Sequence, residues 1–339
     1  MDDKAISVTL GGDHNYFIGI YVTAHSICRA AAAGTSLVLH IFDAGLDDED
    51  RRLLQALEGA FEDRTVRVHL FRPDLSPFEC LPKFHGSHAT FARLLLQDLL
   101  PNEDWTIYTD VDVLWLRDVS ELWALRDPAH ALLAAPDGSG FAAFSHGAEL
   151  ARMRYPEIGG TVPERYFGAG ILLLNLKRLR EIDFARQVAA LVPRVGDRFR
   201  YSDQDFYNFL LPYPETKLVD PRWNTFACHW GTYGTGDQVI HYAGWVPWKN
   251  PKMRRVIMLW WEYLAAIGWE RLGTRGETYR QAFERAQTQY RALRNPFALA
   301  LLRIFRPKLW RKRLLRLVPT PYDPETNDWH TPDPSSVDT

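Results

Sequence analysis

The sequence predicts an α/β fold with a mostly parallel, doubly wound central sheet, and two observations carry that expectation. Short β-rich runs alternate with helix-like segments through the first 125 residues, the pattern of a parallel sheet with helices on its faces. Two polar clusters, Asp13-His14-Asn15 and Asp110-Val111-Asp112, fall at the carboxyl ends of such runs, where open α/β sheets bind ligands.

In chain order, Ala5–Leu10 is a short apolar strand that runs into Gly11-Gly12-Asp13. Tyr16–Ala33 is rich in Ala and Ile and reads as a helix, with Gly34 placed to close it. Ser36–Phe42 is a second strand, turning at Asp43-Ala44-Gly45. Asp47–Phe61 reads as a helix whose first-turn acids suit its dipole. Thr65–Phe71 alternates as a third strand. Thr90–Leu100 reads as a helix, Trp105–Asp110 as a fourth strand and Val119–Leu125 as a short helix. Farther on, Gly168–Leu176 is a strand, Lys177–Leu191 and Ser202–Leu211 are helices, and Val239–Tyr242 is a short strand. Helices are expected over Pro251–Trp269 and Thr278–Leu293.

Hydrophobic residues make up 46% of the 339 positions and charged residues 24%, enough to bury a core and exclude global disorder. A net charge of -2 gives no overall pull toward nucleic acid. Cys28, Cys80 and Cys228 stand far apart and form neither a metal spacing nor a disulfide framework. The N-terminus lacks the basic start and apolar core of a signal peptide. The most apolar window, Val256 to Trp269, is 14 residues long, short of the roughly 20 that span a bilayer. These features predict a cytoplasmic protein.

The sharpest chemical signal is IYTDVDVLWL. Alternate residues of an extended segment point the same way, so Asp110 and Asp112 can share a hard cation. Asp48-Glu-Asp50 and Asp203-Gln-Asp205 also match Asp-x-Asp, and the first reads as a solvated helix start. Only the pair at 110 and 112 lies between apolar runs, where a carboxylate without a partner is costly. A single buried Asp there would be read as a strand-end hydrogen-bond acceptor; the pair points to a metal.

The order of motifs resembles glycosyltransferase family 8, and within it the bacterial lipopolysaccharide galactosyl- and glucosyltransferases. The matching segments are Gly12-Asp-His-Asn-Tyr16, Asp43-Ala-Gly45, Phe91-Ala-Arg-Leu94, Tyr108-Thr-Asp-Val-Asp112, Tyr166 to Lys177, Asp203-Gln-Asp205 and His241-Tyr-Ala-Gly244. The resemblance implies a GT-A-type fold with a C-terminal helical extension, a UDP-sugar donor (UDP-glucose or UDP-galactose) and a divalent cation, Mn²⁺ or Mg²⁺. It also implies retention at the anomeric carbon. It assigns the metal to Asp110, Asp112 and His241, and the nucleotide to Asp13, Asn15, Arg93, Asp110, Val111 and Gly244. It sets Gln204 beneath the anomeric carbon, with Asp203 and Asp137 on sugar hydroxyls and His85 toward acceptor sugar. Gln204 is a weak nucleophile, which favours front-face departure and attack without a covalent intermediate.

Two departures stand out. The family's asparagine in Tyr-Phe-Asn-x-Gly is Gly168 here, and its phosphate lysine before Pro-Trp is replaced by Val246, leaving Lys249 as the substitute. Among the aromatics from Trp223 to Trp248, most are expected to pack internally, with Trp245 as the candidate for stacking on acceptor sugar. The expected divisions are 1–250 as the catalytic domain, 251–318 as a basic helical extension and 319–339 as a disordered tail. Residues 297–317 interleave basic side chains with Leu, Phe and Trp, the composition of a helix on an anionic membrane surface. The expected setting is therefore the inner face of the cytoplasmic membrane, with a glycan or glycolipid acceptor. A non-catalytic UDP-sugar-binding homologue is the alternative. A sugar-nucleotide pyrophosphorylase is disfavoured, because Leu10-Gly-Gly-Asp-His-Asn carries no Lys or Arg for a phosphate loop.

Overall fold

The computed structural model describes residues 5–83, 86–137, 166–195, 198–211, 214–230, 236–249 and 254–293. The chain divides into two compact units, Met1–Asn224 with Asp237–Val239, and Thr225–Gly236 with Ile240–Thr339.

The first unit is built on a seven-stranded sheet. Its strands are β1 (Ile6–Gly12), β2 (Ser36–Asp43), β3 (Thr65–Phe71), β4 (Trp105–Thr109), β6 (Leu132–Pro136), β7 (Phe167–Asn175) and β8 (Thr216–Leu218), with β5 (Val113–Trp115) outside it. The order is β3-β2-β1-β4-β7-β6-β8. Strands β1 to β4 pair in parallel, as the alternation predicts. β7 runs antiparallel to both β4 and β6, so the sheet is mixed. All nine residues of β7 are buried, because helices cover it and strands flank it. Leu172 and Leu174 pack in one core with Leu179, Phe184, Leu191 and Phe206.

Most helices follow their patterns with shifted ends, but the single helix expected over Lys177–Leu191 is two, broken at Ile182-Asp183, where Asp183 takes φ 55°. α1 (Phe17–Ala30) is buried through Cys28, consistent with a helix apolar on every side. It stops at Ala30, and Gly34 (φ 81°) serves the turn beyond it, donating its N–H to Asp63 O. α2 (Asp48–Gln55) opens on a complete capping box between Asp47 and Asp50. The expected helix over Thr90–Leu100 is a 3₁₀ segment, Ala89–Leu95, followed by the single turn α3 (Leu96–Leu99). α4 (Val119–Trp123), α5 (Leu176–Glu181), α6 (Phe184–Val195) and α7 (Asp203–Leu210) complete the first unit's described helices.

The second unit contains β9 (Thr225–Phe226), paired in parallel with the end of β10 (Val239–His241). Helices α8 (Arg255–Ile267) and α9 (Gly276–Leu293) follow. Trp260 packs on Trp248 and edge-on to Trp261. No helix among the described residues is long and apolar enough to cross a membrane. The basic segment 297–317 and the tail 319–339 lie outside the described residues.

His40 on β2 gives the first unit a pH response. Burial, and then the His69 imidazole with its ring 5.4 Å away, hold its pKa down to about 4. Glu103 Oε1 is 3.7 Å from His40 Nε2, too long for a hydrogen bond that would offset burial. In the unfolded chain this imidazole titrates near 6.5, so the folded state binds fewer protons between the two values. Stability is full above that window and is lost as pH falls through it. Wild type is expected to lose on the order of 2–3 kcal/mol between pH 6.5 and 4 from this group, read by denaturant unfolding, and His40→Gln to flatten that slope. An unchanged slope in His40→Gln would refute the assignment.

Candidate active site

The carboxyl ends of β1, β2 and β4 lie along one edge of the first unit's sheet. At β1, Asp13 Oδ1 accepts the Asn15 N–H at 2.9 Å and opens a 3₁₀ turn, leaving Asn15 exposed. Ala44 N donates to Gly12 O and His14 N to Gly45 O, which ties this loop to the end of β2. Asp43 anchors that end. Burial alone would raise its pKa, but the Leu46 and Gly45 N–H groups and Arg51 hold it down at about 2. His14 Nδ1 meets Asp50 Oδ2 at 2.8 Å, which joins the loop to the start of α2.

Asp110 follows β4, and its N–H donates to Gly170 O at 2.7 Å, so pairing with β7 extends to this residue. The Thr23 hydroxyl, from α1, is shared between the carbonyls of Val111 and Val113. It fixes the extended course on which Asp110 and Asp112 present carboxylate oxygens within 4.8 Å of each other. That juxtaposition is the one alternation predicts. Two carboxylates at this spacing form a donor set that suits a hard divalent cation.

Arg93 organises the floor of this region from the 3₁₀ segment. Its Nη2 meets Asp110 Oδ1 at 2.6 Å, its Nε meets Asp203 Oδ2 at 3.0 Å, and Nη1 donates to Ala169 O at 2.8 Å. Its guanidinium also covers the Tyr108 ring at 4.2 Å, and the Tyr108 hydroxyl donates to Asp110 Oδ1 at 2.9 Å. Arg93 and Asp203 are both buried. Burial pushes the Asp203 carboxyl up to about 6 against the pull of Arg93, while Thr90 donates its hydroxyl to Asp203 Oδ1. The resemblance assigns Arg93 to the nucleoside; in the structure its guanidinium groups face Asp110, Asp203, Thr90 and Ala169.

Gln204 stands beside this cluster on α7. Its Oε1 accepts the Ala169 N–H at 2.9 Å, and its Nε2 donates to Asp137 Oδ2 at 2.8 Å. The turn into α7 is unusual. Ser202 occupies the N-cap position at φ 55°, its side chain makes no cap hydrogen bond, and its hydroxyl is buried without a partner. Asp205 ties this turn down instead, accepting from Tyr201 N and from the Tyr166 hydroxyl, a structural role. A left-handed serine is a strained conformation that the surroundings must impose, and it sits directly before Asp203 and Gln204.

In the second unit, His241 ends β10, buried and edge-on to Phe226 with centroids 5.4 Å apart. Gly244 takes φ 68°, with open space where a Cβ would stand. Trp245 is half-buried beneath the Arg254 guanidinium at 3.9 Å, and Lys249 is exposed. Trp248 packs against Trp260, while in the first unit Trp223 packs against Trp115, as expected for internal aromatics. His85 lies outside the described residues, whereas His88 bonds Leu81 O through Nε2 at 3.0 Å. The sequence reading missed Thr23 and Thr90. Neither sits in a motif, and only the fold brings them to the site.

The sequence model of the family described as Glycosyl transferase family 8 matches residues 7–251. A putative glycosyltransferase of Haemophilus influenzae is 25% identical over 223 residues, covering 65% of this chain and 63% of that protein. The lipopolysaccharide glucosyltransferase WaaO of Escherichia coli is 24% identical over 266 residues, covering 74% of each. The chain matches less than two thirds of the Haemophilus protein's length, and 24% of a probable glycosyl transferase, Gly, of Streptococcus gordonii. Among solved structures, galactosyltransferase LgtC in complex with donor and acceptor sugar analogs superimposes with a TM-score of 0.64 at 22% identity. That match covers 78% of this chain and 96% of LgtC and shows a shared fold.

Proposed function

The chain belongs to glycosyl transferase family 8, and from that premise we propose that it is a metal-dependent, retaining hexosyltransferase. It takes glucose or galactose from a UDP-sugar to a glycan or glycolipid of the cell envelope. The observation that carries this reading is the paired carboxylates of Asp110 and Asp112, within 4.8 Å at the carboxyl end of β4, next to the Gln204–Asp137 pair. His241 is assigned as the third ligand to the cation. When bound, the cation neutralises the charge that develops on a diphosphate leaving group.

The residues divide the remaining work. Asp13 and Asn15 hold the uridine at the ends of β1 and β2. Arg93 fixes the Asp110 carboxylate and keeps Asp203 close, so the charge pattern is set before substrate arrives. Gln204, held at both ends of its amide, lies beneath the anomeric carbon, where a weak nucleophile stabilises a cationic sugar without bonding to it. Asp203 and Asp137 hold sugar hydroxyls. Gly244 admits the diphosphate to the backbone, with Lys249 supplying a positive charge. Acceptor sugar stacks near Trp245 and His85. Residues 297–317 hold the enzyme at the anionic inner face of the cytoplasmic membrane.

The test is a screen of UDP-sugars with the purified chain and Mn²⁺, following UDP release and the anomer formed by NMR. Release from UDP-glucose or UDP-galactose, abolished by chelation and yielding the retained anomer, is the expected result. A chain that binds UDP and Mn²⁺ but turns over no donor would instead favour a non-catalytic UDP-sugar-binding protein. A chain indifferent to both would end the reading.

A further inference from the structure

The chain enters α7 through a turn that its own sequence disfavours. Ser202 N donates to Phe199 O and Gln204 N to Tyr201 O, both at 3.1 Å. Ser202 takes φ 55° and ψ -125°, close to the roughly +60° and −120° of the first central residue of a type II′ turn. Glycine dominates that position because it carries no Cβ to crowd the backbone; serine holds it here. The surroundings impose the angles. Asp205 Oδ2 accepts from Tyr201 N at 2.9 Å, its Oδ1 accepts from the Tyr166 hydroxyl, and Asp205 N donates to Ser202 O at 3.1 Å. The Ser202 hydroxyl gains nothing from this, being buried without a hydrogen-bond partner. What the turn delivers is the next two side chains. Asp203 Oδ2 meets Arg93 Nε at 3.0 Å, and the same guanidinium donates to Ala169 O. Gln204 accepts the Ala169 N–H at 2.9 Å and donates to Asp137 at 2.8 Å. Ala169 is thus gripped at its N–H by Gln204 and at its carbonyl by the partner of Asp203.

We propose that Ser202 is a positioning residue for the transfer reaction, acting through its strained backbone and not through its hydroxyl. This rests on the reading of the chain as a UDP-sugar transferase. Consecutive helical side chains point about 100° apart, so the angle at which the chain enters α7 decides where Asp203 and Gln204 both go. A change of φ at residue 202 swings the two together, away from Arg93 and from Asp137. A shift of about 1 Å in a group that positions substrate costs on the order of 100-fold in rate. Backbone strain persists where the surrounding structure over-determines it, and here that structure is the Asp205 carboxylate with its two donors.

Ser202→Gly, Ser202→Ala and Ser202→Thr separate backbone from hydroxyl. Each is assayed for kcat and KM with its best UDP-sugar, for UDP affinity with Mn²⁺ by calorimetry, and for its urea midpoint. Ser202→Gly adopts the same angles without strain and is expected to keep kcat within about threefold, with a midpoint at or above wild type. Ser202→Ala removes only the hydroxyl and should also stay within about threefold. Ser202→Thr keeps the hydroxyl, but a β-branched residue strongly resists positive φ; kcat should fall by about 10- to 100-fold, with UDP affinity unchanged. A turn that merely supported the fold would move the midpoint and leave both kcat and UDP affinity alone. Tyr166→Phe tests the same point without altering residue 202. It removes one donor from Asp205, should lower kcat by about fivefold or more, and should be rescued by Ser202→Gly in the same chain. A loss in Ser202→Ala as large as that in Ser202→Thr would transfer the role to the hydroxyl and overturn the inference. So would wild-type kcat in a folded Ser202→Thr enzyme. An unchanged kcat in Tyr166→Phe, or a loss that Ser202→Gly does not rescue, would do the same even if Ser202→Thr does not fold. A wild-type chain that turns over no UDP-sugar would instead remove the underlying reading.

Discussion

Asp112→Asn is expected to cut turnover by on the order of 10³-fold, because a bound cation contributes several kcal/mol of charge stabilisation to a departing diphosphate. It is also expected to abolish the dependence of UDP binding on Mn²⁺. Its stability should stay within about 1 kcal/mol of wild type, since the residue is half-buried and the amide keeps its shape. Asp110→Asn should match the loss of turnover and add a second effect. Asp110 Oδ1 is the acceptor for Arg93 at 2.6 Å and for Tyr108 at 2.9 Å. Its neutralisation leaves the buried guanidinium with one carboxylate instead of two, a cost on the order of 2–3 kcal/mol by analogy with broken buried pairs. The two substitutions therefore differ in stability and agree in function. Calorimetry of UDP binding with and without Mn²⁺, steady-state rates and urea unfolding read all three quantities. Manganese-stimulated turnover near wild type in Asp112→Asn would remove the carboxylate pair from the mechanism.

What the sequence made visible depended on range. The juxtaposition of Asp110 and Asp112 was readable because its signal is local: two acids at alternate positions of an extended run point to the same side. β1 to β4 were readable for the same reason, each being a short apolar run closed by turn residues. The direction of β7 was not, since a strand buried on both faces shows the same composition whichever way it runs. The 3₁₀ path of Ala89–Leu95 was also hidden, because helix-like spacing does not distinguish three residues per turn from 3.6. The partners of Arg93 were the least accessible. Asp110, Ala169 and Asp203 are 17, 76 and 110 positions away, and nothing in Phe-Ala-Arg-Leu announces that its arginine is turned inward.

Arg93 carries the largest expected effect on stability. Arg93→Met keeps much of the side chain's length and removes its charge, leaving Asp203 buried beside the Asp110 carboxylate. Breaking one side of a buried pair costs about 3–5 kcal/mol, and two carboxylates lose their partner here. The cost should depend on pH in a direction the structure dictates. Burial already pushes the Asp203 carboxyl up to about 6 with Arg93 present; without that cation the group is driven higher still. A carboxyl whose pKa is raised on folding costs stability as pH rises from its unfolded value to its folded one, and the higher the folded value the farther that loss extends. The destabilisation of Arg93→Met should therefore be small at pH 5 and grow steadily to pH 8, whereas Arg93→Met/Asp203→Asn should lose most of that slope. Arg93→Lys retains a charge without the planar fork that reaches Asp110, Asp203 and Ala169 together, so it should recover part of the stability and little of the turnover. Urea unfolding of the four proteins at pH 5, 6.5 and 8 measures this directly. A pH-independent loss in Arg93→Met would mean that Asp203 is not held ionised by Arg93, and that the charge pattern beneath the proposed cation site is set by other groups.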